Sequence, residues 1–332
     1  MILSKRQTAS CVHNALEYAF DGQGRLRMKR FTQEQTADYA LDSDQYPIRC
    51  RANANVTLSF MTDADWFSFS YDAQTGSSRS FYGIDLFVDQ ALHDARIIEG
   101  FESNEILFGL PGGLHRVTVF LPWSAELMIK TMALPDGASF QPVPEKRKRI
   151  LAIGDSITQG YIARHPGFTW TGKLTRALDA EVLNLGVGGY GFYTNSLNHP
   201  TAWRADMIIL AYGTNDYVRE PTPESFRQCA AAYTAKLAAV FPDIPILQVM
   251  PIFRNDKEHF SREMSRDYTL EDARQILRDI AAQFPQITLL EDTFYPHGAD
   301  FFAPDGVHPN DLGFSVLGEE IIRAVLGMDC MR

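Results

Sequence analysis

The sequence predicts an all-β sandwich or jelly roll, followed by an α/β domain with a flavodoxin-like, doubly wound parallel sheet. Apolar and polar residues alternate with a period near two in the first 135 residues, as in half-buried β-strands. From residue 149 onwards, short apolar runs alternate with segments of helical spacing, which is the pattern of β-α-β units. Together these two patterns divide the chain into residues 1–135, a linker over 136–148, and residues 149–332.

The N-terminal part contains clear strand patterns separated by turn signals. Strands are predicted over 57–61, 66–71 and 116–121, with turn-forming residues at 74–78 and 111–113. Its many aromatic residues are interpreted as sandwich core rather than as a surface for stacking sugars. They include Trp66, Phe67, Phe69, Phe81, Tyr82 and Phe87.

The α/β part is predicted to contain five strands and four main helices. The strands are predicted over 149–153, 182–185, 207–211, 246–250 and 287–290, and the helices over 170–178, 223–240, 270–283 and 311–326. A charged stretch over 254–267 is interpreted as a solvated loop, and a segment that covers the site stays the alternative.

Four short motifs carry the functional signal. They are GDSIT at 154–158, GVGG at 186–189, GTND at 213–216 and DGVHPN at 305–310. The first three directly follow predicted strands, and the fourth comes after the last strand and before the final helix. In a sheet of order 2-1-3-4-5 these loops meet at one edge, where open α/β sheets bind ligands.

The residues in these motifs fit the chemistry of a serine nucleophile. The Ser156 hydroxyl needs an adjacent base, and His308 can take its proton while Asp305 holds the other ring nitrogen. The backbone amides of Ser156 and Gly189 and the side-chain amide of Asn215 can form an oxyanion hole. The sequence therefore predicts a Ser156–His308–Asp305 triad.

On these motifs the C-terminal half resembles the SGNH (GDSL-type) hydrolase superfamily. The resemblance implies Ser156 as nucleophile, Gly189 and Asn215 as oxyanion donors, and Asp305 and His308 as the rest of the triad. Upstream, the GIDLF sequence at 83–87 is similar to the GxDLY motif of a sandwich domain found before some SGNH hydrolases, with Phe87 in place of the tyrosine.

Other kinds of site are disfavoured. GVGG could begin a dinucleotide-binding loop, but no acidic residue stands about 20 positions further on. Asp305 and His308 have no third metal ligand at a telling spacing, so no metal and no cofactor are expected. A net charge of −10 argues against nucleic acid or an anionic membrane as a partner.

We therefore expect a serine esterase that removes acetyl or other short acyl groups from sugars or oligosaccharides. An acyltransferase with the same triad and a catalytically silent carbohydrate-binding protein are the alternatives. The first twenty residues lack an apolar run of signal-peptide length and the four cysteines are scattered, so a cytoplasmic protein is expected. The sequence does not decide whether a leader peptide has been removed or whether the protein is a homo-oligomer.

Overall fold

The computed structural model describes residues 1–328, and within this range sixteen strands form three sheets, accompanied by ten α-helices. The strands are β1 (Val12–His13), β2 (Glu17–Phe20), β3 (Leu26–Lys29), β4 (Thr57–Thr62), β5 (Trp66–Thr75), β6 (Phe81–Val88), β7 (Ala91–Glu99), β8 (Asn104–Gly109), β9 (His115–Phe120), β10 (Ala125–Ala133), β11 (Gln141–Pro142), β12 (Arg149–Gly154), β13 (Glu181–Gly186), β14 (Met207–Ala211), β15 (Ile246–Val249) and β16 (Ile287–Leu290). The helices are α1 (Lys5–Ala9), α2 (Gln33–Ala40), α3 (Tyr46–Cys50), α4 (Ser156–Gln159), α5 (Trp170–Ala177), α6 (Thr214–Arg219), α7 (Pro223–Val240), α8 (Lys257–Ser265), α9 (Leu270–Ala281) and α10 (Asp311–Gly327).

The N-terminal half is a sandwich of two antiparallel sheets, as predicted. One sheet has the order β1-β4-β9-β6-β7 with β11 also paired to β4, and the other has the order β2-β3-β10-β5-β8. Phe60 on the first sheet meets Phe67 on the second, with ring centroids 5.0 Å apart, and both rings are completely buried. Each ring buried in this way stabilises the fold by about 1.5–3 kcal/mol. The aromatic residues on these strands therefore serve chiefly as core.

The C-terminal half is a parallel sheet with helices on both faces. Its order is β13-β12-β14-β15-β16, which is 2-1-3-4-5 counted within this half, so the flavodoxin-like arrangement is confirmed. Successive residues of a strand point to opposite faces. Leu151 and Ile153 of β12 join a core with α7 and α9, whereas Ile150 and Ala152 join a second core with α5 and α10.

The first fifty residues differ from the all-β prediction, because they contain α1, α2 and α3 as well as strands. Thr32 and Gln35 form a capping box at the start of α2, in which the Thr32 side chain accepts from the Gln35 backbone and the Gln35 side chain accepts from the Thr32 backbone. Pro47 lies in the first turn of α3, where a missing N–H has no cost. These local signals favour helix within a segment that otherwise has no clear period.

The predicted linker is also more ordered than its composition suggests. β11 falls within residues 136–148 and pairs with Phe60 and Met61 of β4. Upstream of β11, the Ser139 N–H donates to Asp63 and the Ser139 carbonyl accepts from Thr62. The chain therefore runs along the sandwich before it enters β12.

The two halves are packed against each other, and alternate residues of β6 form one part of their contact. A Cβ atom on Gly83 would collide with the carbonyl oxygen of Arg164. The completely buried Asp85 accepts hydrogen bonds from the Gly167 N–H and from a ring nitrogen of His165, each at 2.9 Å. The GIDLF sequence at 83–87 therefore contacts the C-terminal half through every second residue.

Candidate active site

Ser156 lies in the tight connection between β12 and α4. Asp155 caps this short helix, since its carboxylate accepts a hydrogen bond of 2.9 Å from the Ile157 N–H. The helix ends after one turn at Gly160, whose φ of 100° is in the left-handed region that favours glycine. As a result, Ser156 is held at the carboxyl end of the sheet, 8% exposed.

The loop before α10 brings His308 to this serine. The Ser156 Oγ atom lies 2.8 Å from His308 Nε2, and His308 Nδ1 lies 2.8 Å from Asp305 Oδ2. The second Asp305 oxygen accepts hydrogen bonds of 3.0 Å from the N–H groups of Val307 and His308, which closes the loop. The three residues predicted as a triad are therefore connected in a continuous chain of hydrogen bonds.

Two further loops bring Gly189 and Asn215 to the same place. Gly189 has a φ of 76°, and its N–H is paired with no other group in residues 1–328, nor is the N–H of Ser156. The Asn215 side chain donates to the Tyr190 carbonyl at 2.9 Å and makes a longer contact of 3.4 Å with Asp155 Oδ2. All three predicted oxyanion donors thus lie around the serine.

These residues line a cavity of about 220 Å³ to which both halves of the chain contribute. The N-terminal half supplies Arg49, Ser77 and Ser78, and the loops of the α/β half supply the rest of the wall. The ring of Tyr161 packs on His308 with centroids 4.5 Å apart, and its hydroxyl lies 3.3 Å from Ser78 Oγ. The sandwich therefore forms part of the candidate site.

The electrostatics favour an ionised carboxylate beside the histidine. Burial opposes ionisation of Asp305, but hydrogen bonds from the His308 ring and backbone outweigh it, so the pKa of this carboxyl is well below its ordinary value. Two deeper carboxyls behave in the opposite way. Burial raises the pKa of Asp155 to about 7 and that of Asp216 to about 6. Asp305 therefore stays charged beside the His308 ring.

Residues 152–316 match the sequence model of the GDSL-like lipase/acylhydrolase family. The α/β half of the chain belongs to this family. The match includes all five candidate site residues. No protein of curated function matches the chain by sequence.

Solved structures resemble this GDSL-like protein over nearly its whole length, sandwich included. A salicylyl-acyltransferase from a tetracycline biosynthetic pathway is 21% identical, with a TM-score of 0.81 over 97% of this chain and 96% of that one. A Bacteroides ovatus protein described as a GDSL-like lipase is 18% identical, with a TM-score of 0.77 over 98% and 97%. A family two carbohydrate esterase from Clostridium thermocellum, in complex with cellohexaose, is 12% identical, with a TM-score of 0.67 over 95% and 98%. At these identities the likeness establishes a shared fold.

Sequence reasoning missed the residues that hold the GVGG loop of the GDSL-like domain from outside. Arg49 donates to the Gly188 carbonyl, while Tyr46 and Arg219 donate to the Gly189 carbonyl at 3.0 and 2.8 Å. Arg49 and Tyr46 lie about 140 positions before this loop, in a segment without a motif. Only the capping box of α2 and Pro47 in α3 could have indicated that a structured segment lies there.

The charged stretch over 254–267 was wrongly interpreted as a solvated loop. Arg254 and Asp256 are buried and form an ion pair of 2.8 Å, and α8 follows directly. Arg254 also donates to the Thr214 carbonyl, and the Asn255 N–H donates to Gly306. Because these partners adjoin Asn215 and Asp305, the stretch supports two of the site loops of the GDSL-like domain.

Within residues 1–328, no three His, Cys, Asp or Glu side chains are grouped as metal ligands would be. No helix in the same range has both the length and the apolar character needed to cross a bilayer.

Proposed function

We propose that this protein is a serine carboxylic-ester hydrolase that removes short acyl groups, acetyl above all, from sugars or oligosaccharides. The observation that carries the proposal is the hydrogen-bonded chain from Ser156 Oγ through His308 to Asp305, with both links at 2.8 Å. The separation of Ser156 from His308 is within the range that proton transfer requires, and Asp305 orients the base.

The proposed reaction passes through an acyl-enzyme. His308 Nε2 takes the Ser156 proton as the oxygen attacks the ester carbonyl, and the same nitrogen then protonates the leaving alcohol. Water, activated by His308, attacks the acyl-enzyme and releases the acid. Asp305 stays ionised throughout and stabilises the imidazolium.

The negative oxygen of each tetrahedral intermediate is proposed to bind the N–H groups of Ser156 and Gly189 and the amide of Asn215. The two backbone N–H groups have no other partner in residues 1–328, which leaves them available. Asn215 must give up one contact, and the 3.4 Å contact with Asp155 is the weaker of the two. Donors placed before the reaction contribute most once the charge has developed.

The size and lining of the cavity support a small, polar substrate. A volume of about 220 Å³ suits a short acyl group with part of one sugar rather than a long acyl chain. Ser77, Ser78 and the Tyr161 hydroxyl offer hydrogen-bond partners for sugar hydroxyls. The family two carbohydrate esterase with bound cellohexaose, which shares the fold, supports a sugar ester as the substrate class.

Transfer of the acyl group to an alcohol is the second candidate function. It needs the same residues and differs only in which nucleophile reaches the acyl-enzyme. The salicylyl-acyltransferase that shares the fold over 97% of the chain supports it. Product analysis in the presence of competing alcohols separates the two functions, because a hydrolase releases free acid whatever alcohol is added.

A cytoplasmic location stays a prediction, supported by the free thiols of Cys11, Cys50 and Cys229.

Substitution of the serine tests the proposal. Ser156→Ala is expected to lower kcat for p-nitrophenyl acetate by about 10⁴- to 10⁶-fold with the fold retained, because the nucleophile is lost. His308→Ala is expected to be nearly as damaging, and the double variant little worse, because the residues act as a unit. A serine-reactive phosphonate should label Ser156 alone.

Ser77→Ala is the matched control, since it removes a hydroxyl from the same cavity. It should keep most of the activity on p-nitrophenyl acetate, which carries no sugar, and all of the phosphonate labelling. Substantial turnover by Ser156→Ala would overturn the triad, and an inert wild-type protein would favour the silent carbohydrate-binding protein.

A further inference from the structure

Arg49 brings a positive charge into the candidate catalytic cavity without a carboxylate to neutralise it. It lies in α3 and lines the cavity together with Ser156. One guanidinium nitrogen, Nη1, donates to the Gly188 carbonyl. Nε and Nη2 have no hydrogen-bond partner in residues 1–328, and neither is a buried atom. Several donors of this cation therefore remain accessible.

Arg49 is close to the nucleophile, and a glycine keeps the space between them open. The point where a Gly188 side chain would begin is 3.4 Å from Arg49 Cδ and 3.6 Å from Ser156 Cβ. A substrate whose ester carbon is at Ser156 would therefore extend over Gly188 to the guanidinium. Any side chain at position 188 would occupy this passage.

Asp305 is the one carboxylate among the residues that line this cavity, and within residues 1–328 it is paired with His308 rather than with Arg49. Its Oδ2 atom is hydrogen-bonded to the His308 ring, and its Oδ1 atom accepts from two backbone N–H groups. Arg79, which lies over the Tyr161 ring at 5.1 Å, is a second cation beside a residue of the cavity wall.

We propose that Arg49 determines specificity by binding a carboxylate of the substrate, so that the esters cleaved by Ser156 carry a negative charge. The inference rests on the proposed esterase function and names its substrate class more closely. A guanidinium binds a planar carboxylate through two parallel N–H···O bonds, and Arg49 has such donors free. A protein with a large negative net charge repels anions at long range, so selecting one requires a local cation.

The carboxylate can belong to either part of the ester. It is on the acyl part in a half-ester of a dicarboxylic acid, and on the alcohol part in an acylated uronic acid. The chemistry that recognises it is the same in both cases, so the experiment uses a pair of esters for each.

The test compares kcat/KM within pairs in which a neutral polar group replaces the carboxylate. The first pair is monoethyl succinate and its neutral amide, ethyl succinamate. The second is the O-acetylated methyl glycoside of glucuronic acid and that of glucose. Acid release is measured for the wild type, Arg49→Gln and Arg49→Lys, with Arg51→Gln as the matched control. Arg51 is exposed at the end of the same helix and does not line this cavity.

The wild type and Arg51→Gln are expected to prefer the charged member of one pair by about 10- to 100-fold, the range of a charged hydrogen bond. Arg49→Gln should abolish this preference, because kcat/KM falls about 10- to 100-fold more for the charged member than for the neutral one, and Arg49→Lys should restore part of it. The pair that shows the preference identifies which part of the ester carries the carboxylate. No preference in either pair overturns the proposal. An equal loss on both members of a pair in Arg49→Gln also overturns it, because Arg49 would then only hold the Gly188 loop.

If the wild type cleaves none of these esters, the esterase function fails and the carboxylate site is tested separately. Succinate and methyl glucuronide are then titrated calorimetrically into Ser156→Ala. Binding of either that disappears in the Ser156→Ala/Arg49→Gln variant supports the site, and absence of binding overturns it.

Discussion

At the scale of single residues, the candidate site combines carboxyls with opposite tendencies to ionise. Asp305 faces a histidine and stays charged, whereas Asp155, completely enclosed behind Ser156, has a pKa raised to about 7 by burial and by the nearby Asp216. Asp155 is nonetheless useful where it is, because its oxygen caps α4. The structure thus keeps a carboxyl whose ionisation destabilises the fold.

Asp155→Asn is expected to stabilise the protein in a pH-dependent way. Asparagine caps a helix as well as aspartate does. The folded pKa of about 7 exceeds the ordinary value of 3.8, so the wild type loses stability as pH rises through this interval, and the variant does not. The difference in free energy of unfolding should be near zero at pH 4 and grow to at most about 4 kcal/mol by pH 8. Urea unfolding at several pH values measures it. The exposed Asp243→Asn serves as the control, and a difference independent of pH would contradict the role of Asp155.

Sequence alone could identify the site residues that lie in short motifs. Ser156, Gly189, Asn215, Asp305 and His308 each follow a strand of a sheet whose order could be predicted, so their approach to one another was predictable. The position of Arg49 was not predictable, because it depends on how α3 packs. No residue near Arg49 in the sequence indicates a contact with the distant Gly188. A lone arginine in a segment without period carries no such signal.

At the scale of elements, the junction between β3 and α2 supports β13 through a single buried arginine. Arg30 is completely buried and donates to the carbonyls of Arg49 and Ala52 on its own half. It also donates to Asn184 at 2.6 Å and to Gly186 at 3.0 Å, at the end of β13 where the GVGG loop begins. Burial lowers its pKa to about 10, so it remains charged at neutral pH.

Arg30→Met is expected to lower the free energy of unfolding by about 3 to 5 kcal/mol, because several buried carbonyls lose their donor. It should also lower kcat through the displaced GVGG loop. Chemical unfolding and p-nitrophenyl acetate hydrolysis measure the two effects. Lys29→Met, at the exposed neighbouring position, is the control and should change stability by less than about 0.5 kcal/mol. Equal effects of the two substitutions would show that Arg30 has no special role.

Elements were predictable where a period was clear, and were missed where local capping decided the structure. The strands over 57–61, 66–71 and 116–121 were found to within a few residues because one of their faces is buried in the sandwich. The short helices of the first fifty residues depend on capping boxes and a proline rather than on an amphipathic repeat. α8 was missed because charged residues dominate it, although Arg254 just before it is buried in an ion pair.

At the scale of the whole molecule, the two halves share an interface that includes buried polar groups. Asp85 on β6 accepts from two groups of the C-terminal half, and the Trp123 indole donates to the Ala163 carbonyl at 2.7 Å. Gln159, at the end of α4, donates to Trp123 and to Gly76 of the sandwich. Separating the halves would leave these groups unpaired, so we expect them to unfold together.

Gly83→Ala tests this coupling. The added methyl group would meet the backbone of Arg164, so the substitution should cost about 1–3 kcal/mol by overpacking. Near-ultraviolet circular dichroism and esterase activity should be lost together at a lower temperature than in the wild type. Gly109→Ala, on β8 of the same sandwich, meets nothing within 4 Å and should be neutral. If the near-ultraviolet signal is lost in two steps and activity survives the first of them, the halves are independent.

The shared cavity also affects how the chain reaches its native state. His13 bonds to Glu181 across 168 positions, and Tyr46 bonds to Gly189 across 143. Such distant pairings form late, because a long loop must close before any contact repays its entropy. During synthesis, the sandwich residues that complete the cavity walls leave the ribosome well before Ser156. The cavity therefore cannot form until Ser156 has also been synthesised. If His308 is the base, as proposed, a chain that ends before residue 308 already has the sandwich wall of the cavity but has no base for Ser156.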